Sequence, residues 1–492
     1  MLPQPKESSK IGRVVSTDAS PSYSIVDVRL DPGKNARPGQ LLYAPISDDP
    51  SEMKVIVLRV SDAREINPYE DPLSSQVRDQ FNLRSSRTTE DLIRKYSLAR
   101  TQPIELLTMK EDQLFSEDPY LLASAGTAVF TEYGHIAGQV LGFTKPDDPG
   151  AMVLGKVIGS NDEAVLDANR VLPRHILIVG STGTGKSYLQ GKIAEELNRI
   201  GIRHVNVDVH GEMCRAAEEL GGRNLVPGVN LNVKLSSLEE PEVLAMLPIS
   251  HELHLDIVTK AFLNLKKSGQ PFTVEDFRSE AEQVAVAYGA KKPTIEIVNA
   301  RVDSLKHIRI LGSGFDWKEA LKNAGAFINL DCRELSHSEL RMLVGAIARE
   351  LIGLRKRHEI RPLVLSMDEA HLFLPGGHET STSSQVVAEL IRFGRHHGLG
   401  MVLSSQSPAD IDRRIAKITN TRFFFAIEPS ELASVSGLLG DAPPDLTNNL
   451  PRLRVGTVLL VGSRDTVKHA VVIEVGKRRT THGGETPMMT EN

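Results

Sequence analysis

The distribution of apolar and polar positions divides the chain into two rhythms. Up to about residue 155 the apolar residues fall in short β-rich runs: "KIGRVVST", "YSIVDVRL", "GQLLYAPI", "KVIVLRVSD", then "TQPIELLTM", "TAVFTEY" and "HIAGQVLGF". Turn signals such as Asp31-Pro32-Gly33 separate them. Short strands joined by tight turns predict a small β-barrel over residues 1–155. A polar stretch near 67–100, ending in "SRTTEDLIRKYSL", breaks the pattern and predicts a partly helical insertion.

From residue 156 strands and helices alternate. "HILIVG" is uninterrupted and apolar; Leu189, Ile193, Ala194, Leu197 and Ile200 follow at helical spacing. "RHVNVDVHG", "AFINLD", "PLVLSMDEA", "GMVLSSQSP" and "TRFFFAIE" read as further buried strands. This alternation over 156–476 predicts a parallel sheet covered by helices on both faces. Residues 236–310 lack strand pattern and carry amphipathic segments such as "ELHLDIVTKAFLNLKKSG", which predicts a helical bundle inserted into the α/β domain. "GTVLLVGS" and "HAVVIEVG" read as a closing hairpin, and the polar residues 477–492 as a mobile tail.

Composition alters this picture little. The formal net charge of -5 excludes a uniformly basic surface but leaves room for basic residues lining a channel. Two cysteines, Cys214 and Cys332, offer neither a disulfide framework nor zinc spacing and suit a reducing compartment. No apolar run approaches the ~18 residues of a membrane span, and "MLPQPKESSK" lacks the core of a signal peptide, so a cytoplasmic, membrane-free protein is expected.

The candidate chemistry lies at strand ends. Gly180-Ser181-Thr182-Gly183-Thr184-Gly185-Lys186-Ser187 follows an apolar strand and opens a helix, with Tyr188 next in line. That is the phosphate-binding P-loop pattern in its required setting: glycines let backbone amides close on phosphates, and the helix N-terminus adds its dipole. Lys186 is expected to neutralise the β- and γ-phosphates of ATP and Ser187 to ligate Mg²⁺. In "LVLSMDEAH" an apolar strand ends in Asp368, a second Mg²⁺ ligand, and Glu369, the residue to polarise the attacking water. A glutamate at that point indicates a hydrolase. Gln406, ending the next strand, is placed to sense the γ-phosphate. Arg392 and Arg395 in "ELIRFGRHHGLG" are candidate phosphate-reaching arginines, though each also reads as a solvated charge; Arg174, before the first core strand, raises the same question, which its position alone does not answer. "VDVHGEM" puts Asp208 and Glu212 at the same sheet edge; a metal site through His210 is a poor reading, because two turn residues do not make one.

Together "GRVVS", "RHILIVGSTGTGKS", "DVHGEM", "LSMDEAHLFLP", "RFGRHHGLGMVLSSQSP" and "LPRLRVGTVLLVG" resemble, in order and over nearly the whole chain, the HerA family of ring-forming ATPases within the FtsK/HerA class of DNA pumps. The resemblance implies an α/β, RecA-like P-loop NTPase core behind a small N-terminal barrel (the HAS barrel) with a helical insertion. It implies a homo-hexamer that moves double-stranded DNA at the cost of ATP and works with a NurA-like nuclease or a defence effector protein. By motif match Lys186, Ser187, Asp368, Glu369 and Gln406 keep the roles above. Asp208 becomes an acidic residue near the nucleotide, and Arg174 and Arg395, with Arg392 as the alternative alignment, become arginines that reach phosphates, at least one from a neighbouring subunit. Met213 stands where the family often has tyrosine and Ser407 where it often has arginine, which leaves DNA repair and anti-phage roles both open. For gripping DNA phosphates, Arg215, Arg223 and the stretch "PGGHETSTSS" are candidates, solvated loops being an equal reading.

Overall fold

The computed structural model describes residues 5–46, 53–66, 95–110, 113–134, 136–374, 382–407, 409, 411 and 413–483. The chain folds into two compact units, one built from residues 1–167 and 423–476, the other from 168–422 and 477–492.

The first unit contains the expected barrel. Its strands are β1 (Lys10–Val14), β2 (Val26–Leu30), β3 (Leu41–Pro45), β4 (Met53–Ile66), β5 (Tyr96–Lys110), β6 (Gln113–Glu117) and β7 (Ala128–Phe130). They run in the order β2-β1-β7-β3-β4-β5, and β5 pairs back onto β2, closing six strands with β6 added outside β5. Alternate side chains point inward, and Ile11, Val14, Val28, Leu42, Ile56, Leu58, Ala99 and Val129 fill the interior. Most of the insertion expected near 67–100 lies outside the described residues; residues 96–100 belong to β5. The change of rhythm at residue 155 marks no boundary, because β8 (Ala151–Val157) runs straight through it and pairs with β9 (Glu163–Asp167).

The second unit holds a parallel sheet: β10 (Ile176–Val179), β11 (Arg203–Asp208), β12 (Arg223–Leu225), β13 (Phe327–Asp331), β14 (Leu363–Met367) and β15 (Leu399–Ser405). Their order is β12-β13-β11-β14-β15-β10, every neighbouring pair parallel. The strands are almost wholly buried, as the continuous apolar runs require. Between β12 and β13 the chain forms the helices Glu240–Met246, Glu252–Lys267, Val274–Ala287 and Lys292–Asp303. Phe262 is their anchor, edge-on to both Phe272 and Phe277. After β16 (Thr421–Phe424) the chain returns to the first unit, where β17 (Thr457–Val461) and β18 (Val471–Val475) form the closing hairpin and β18 pairs with β8. The hairpin thus groups with the barrel residues, and the compact division cuts across the continuous 156–476 span expected from the sequence. The tail also differs from expectation. Residues 477–483 dock onto the second unit, where Thr480 is buried, because a mid-helix carboxylate, Glu195, collects their backbone and hydroxyl donors.

A polar cluster around the buried Arg59 joins the two chain segments of the first unit. His469 sits between two carboxylates, Nδ1 at 3.0 Å from Asp441 and Nε2 at 2.9 Å from Glu105. Arg59, fully buried, donates to Asp441 Oδ2 at 3.2 Å and to the Ala470 carbonyl at 2.8 Å, and Ser116 bonds Glu105. Burial by itself lowers the imidazole, but the Asp441 and Glu105 bonds outweigh it and raise its pKa above the ordinary histidine value. A raised histidine stabilises the folded state fully below its unfolded pKa and loses that contribution as pH climbs through the folded value. The unfolding temperature of the native chain is therefore expected to fall as pH rises from about 6.5 through that raised value. A His469→Asn variant, scanned over the same pH series, should start lower and show a flatter profile.

Candidate active site

Parallel pairing brings the ends of four strands to one edge. Val179 lies beside Ser405, Leu403 beside Met367, and Met367 beside Val207, so the residues that follow them, Gly180, Gln406, Asp368 and Asp208, emerge together. Ligand sites of open α/β sheets form along this carboxyl edge.

The phosphate loop owes its shape to two glycines. Gly183 has φ of +76° and Gly185 +119°, values that side-chain-bearing residues rarely adopt. Gly185 caps the helix Lys186–Arg199, whose first turn carries Ser187. The loop is braced by Thr184, which donates to the Ser181 carbonyl at 2.8 Å, and by the Gly180 amide, which donates to Ser405 at 3.3 Å. The Lys186 ammonium is buried and folds back on the loop, donating to the carbonyls of Gly180 at 2.8 Å and Ser181 at 3.1 Å. Its burial lowers its pKa; the carboxylates of Glu369, Asp368 and Glu212 oppose that and keep the cation in place.

The acidic pair has split characters. Asp368 is almost completely buried, and burial together with the adjacent Glu369 charge pushes its carboxyl up to about 6. For Glu369, burial pushes the same way, but the His371 imidazole and the Gln406 amide, helped by the Lys186 charge, prevail and bring it down to about 2. Two carboxylates driven apart in this way can divide the labour of cation binding and proton acceptance. Glu369 also holds a left-handed backbone, φ 48° and ψ 52°, a strained state for a residue with a side chain. The twist turns its carboxylate toward Gln406, whose Nε2 donates to Glu369 Oε1 at 2.7 Å, while Thr182 donates to Gln406 Oε1 at 3.1 Å. Phosphate loop, sensing strand and acidic strand are thus linked through one glutamine. Ser187 and Asp368 offer oxygen donors only, the kind a hard divalent cation takes.

Two histidines complete the surroundings of Glu369: His371 Nδ1 lies 3.2 Å from Oε2 and His210 Nε2 lies 3.7 Å from Oε1. Both were present in the sequence as "DEAH" and "HGE", but nothing in their spacing told that the two turns meet. No group of three or more potential metal-ligating side chains occurs among the described residues.

Two expectations need correction. The Asp208 carboxylate is taken up by its own turn and by Asn329. Oδ1 accepts the amides of Gly211 at 2.7 Å and Glu212 at 3.1 Å, and Oδ2 accepts the Met213 amide at 2.9 Å and the Asn329 side chain at 3.2 Å. With both oxygens engaged, Asp208 shapes the turn, and Glu212 is the residue whose charge bears on Lys186 and Asp368. Tyr188 follows Ser187 but turns its hydroxyl away from the loop to accept the Arg478 amide at 2.8 Å.

The arginines lie elsewhere. Arg174 precedes β10, and Arg392 and Arg395, both exposed, lie in the last turns of the helix Thr382–His397 that leads into β15. They belong to the strand-start edge, opposite the phosphate loop, and at about 3.3 Å per residue β15 sets roughly 20 Å between the two edges. His175 fastens this end: its Nε2 meets the Ile391 carbonyl at 2.7 Å and its Nδ1 accepts the Met401 amide at 3.2 Å. Burial pushes its pKa down to about 4. Of the DNA-contact candidates, Arg215 and Arg223 are exposed, Arg223 standing 5.8 Å over the Phe315 ring, and residues 375–381 lie outside the described residues.

A parallel sheet with a P-loop, an acidic strand end and a glutamine-bearing strand between them defines the chain as a P-loop ATPase. Residues 152–351 match the family model described as "Helicase HerA, central domain". The chain is 26% identical over 366 residues to the DNA double-strand break repair helicase HerA of Sulfolobus acidocaldarius, covering 70% of this chain and 72% of that one. It is 24% identical over 369 residues to the protein of the same name from Sulfurisphaera tokodaii, covering 70% and 72%. Among solved structures, VirB4 of Thermoanaerobacter pseudethanolicus shares the fold with a TM-score of 0.51 at 15% identity, over 68% of this chain and 98% of that one. Over that central domain the chain resembles the HerA family.

Glu369→Gln is expected to cut ATP turnover by roughly 100-fold or more while nucleotide affinity stays within about threefold. Steady-state hydrolysis beside titration with a fluorescent nucleotide checks both, and undiminished turnover would remove Glu369 from the role of base. Binding of ATP with a divalent cation should weaken as pH drops through about 6, where Asp368 takes up its proton. In Glu369→Gln that edge should move to lower pH, because the neighbouring charge is gone.

Proposed function

We propose that this chain is an ATP-driven motor that moves double-stranded DNA through a homo-hexameric ring. The observation that carries the ring is the separation of the site into two edges. Lys186, Glu369 and Gln406 stand at one edge of the sheet, and the exposed Arg392 and Arg395, with Arg174, at the other. An arginine roughly 20 Å from its own phosphates serves a neighbour's. A head-to-tail contact joining unlike edges closes into a ring.

In the reaction, Lys186 exchanges the Gly180 and Ser181 carbonyls for the phosphate oxygens of ATP. Glu369 accepts a proton from water as the water oxygen bonds the γ-phosphorus; the bond to the bridging oxygen breaks, and ADP departs with that electron pair. Ser187 and Asp368 would hold Mg²⁺, which neutralises charge on the phosphates. Gln406, now shared between Thr182 and Glu369, reports the γ-phosphate by exchanging one of these partners for it. An arginine of the adjoining subunit stabilises the transferring phosphoryl group.

DNA as the load is supported by the HerA relatives, which are named as DNA double-strand break repair helicases, and a net charge of -5 leaves room for basic residues in a central channel. A nuclease of the NurA type is the partner that end processing calls for.

Arg395→Ala should lower turnover by about 1,000-fold with nucleotide binding retained. Mixing it with Lys186→Ala, itself inactive, should restore part of the activity at mixed interfaces; absence of rescue at every ratio would show that Arg395 does not act in trans. Hydrolysis by the native chain should rise on adding duplex DNA. Turnover indifferent to DNA, with a co-purifying effector active only in the complex, would instead make the ring a scaffold for defence.

A further inference from the structure

The residues after β18 run across the outer face of the phosphate-loop helix and reach the turn that carries Glu212. Tyr188, Gly191 and Glu195 share one face of that helix, at spacings of three and four residues. The Arg478 side chain lies on this face, only 1% exposed, its guanidinium 5.6 Å above the Tyr188 ring. Its amide donates to the Tyr188 hydroxyl at 2.8 Å. The side chain donates to Thr480 Oγ1 at 2.9 Å and meets His482 Nδ1 at 3.2 Å. Glu195, fully buried, receives the Arg479 amide, the Thr480 amide and the Thr480 hydroxyl on one oxygen at 2.7 to 2.8 Å.

The segment then crosses to the second wall of the site. Thr481 gives its amide at 2.7 Å and its hydroxyl at 2.6 Å to Glu219, at the end of the short helix Cys214–Glu219 that follows the Glu212 turn. Gly483 packs against that turn so closely that a Cβ there would lie 2.8 Å from the Glu212 carbonyl oxygen. Inside, Glu212 Oε2 is a buried carboxylate oxygen without a hydrogen-bond partner, and its charge bears on Lys186 and Asp368. One continuous stretch of six residues, 478–483, therefore touches the helix bearing Lys186 and Ser187 and the turn bearing Glu212.

Gly191 is the sequence's mark of this arrangement. Glycine inside a helix is unfavourable relative to alanine. Here a Cβ would lie 2.1 Å from the Arg478 Cζ. The helix gives up propensity to seat the guanidinium.

We propose that Arg478, seated on Gly191, is a positioning residue for ATP hydrolysis: through it the strap Arg478–Gly483 sets the phosphate-loop helix against the Glu212 turn. Its side chain meets Tyr188, Thr480 and His482, none of them in the phosphate loop. The loop amides and Lys186 hold phosphates without it; the strap governs how well the Glu212 turn is aligned with them. This rests on the ATPase assignment alone and not on the DNA load.

Gly191→Ala and Arg478→Ala separate positioning from stability. Gly191→Ala improves helix propensity while expelling the guanidinium. Both are expected to lower kcat for ATP by about 10- to 100-fold, with KM for ATP changed by less than about threefold. The loss of kcat in each variant should exceed what the fraction unfolded at the assay temperature accounts for. The double variant should be no slower than the worse single one, since each removes the same seat. Arg478→Lys, which keeps the charge but not the planar fork, should recover only part of the loss. Unchanged kcat in Gly191→Ala would overturn the proposal, as would a loss of kcat in both variants that merely tracks a lowered unfolding temperature.

Discussion

The parallel register of β10, β15, β14 and β11 is the constraint on which the site depends. Each strand runs the same way, so each delivers its last residue to one edge. Without that alignment Gly180, Gln406, Asp368 and the Glu212 turn would be unrelated loops. With it, a single glutamine can bridge Thr182 and Glu369 within hydrogen-bonding distance. The same register has a second effect. It sends the residues that precede the strands, Arg174 and Arg395 among them, to the far side of the sheet. Chemistry at one edge and arginines at the other are two results of one geometry.

Burial then assigns charge within the site. Asp368 and Glu369 are sequence neighbours, yet one is pushed up to about 6 and the other down to about 2. The difference is in what faces each. Asp368 ends its strand among backbone and a like charge, whereas Glu369, twisted out of the strand by its left-handed backbone, meets Gln406, His371 and His210.

The chemistry that follows from local pattern was legible in the sequence. The phosphate loop, the acidic strand end, the barrel and the inserted helices each arise from spacing within a short window, and each stands where the periodicity put it. What was hidden depends on contacts between distant segments. Asp208 had the composition of a site residue, but four donors from its own turn and from Asn329 consume its carboxylate. His210 and His371 are 161 positions apart and both reach Glu369 because β11 and β14 are neighbours. The grouping of the closing hairpin was hidden for a similar reason: it has the same apolar rhythm as the core strands, and its pairing with β8 is a contact between distant segments. The polar residues after Gly476 looked like a solvated tail because the partner that orders them, Glu195, is a charged residue buried mid-helix, which no local rule anticipates.

The backbone of Glu369 carries a consequence for how this chain can change over generations. A left-handed conformation is tolerated best by glycine and next by asparagine. Either replacement would relax the main chain at the strand end, but either would strip the site of a carboxylate that Gln406 and His371 hold ionised. Any lineage that keeps the glutamate does so against the preference of its own main chain, and the side-chain bonds that offset this strain are the same ones that aim the carboxylate into the site.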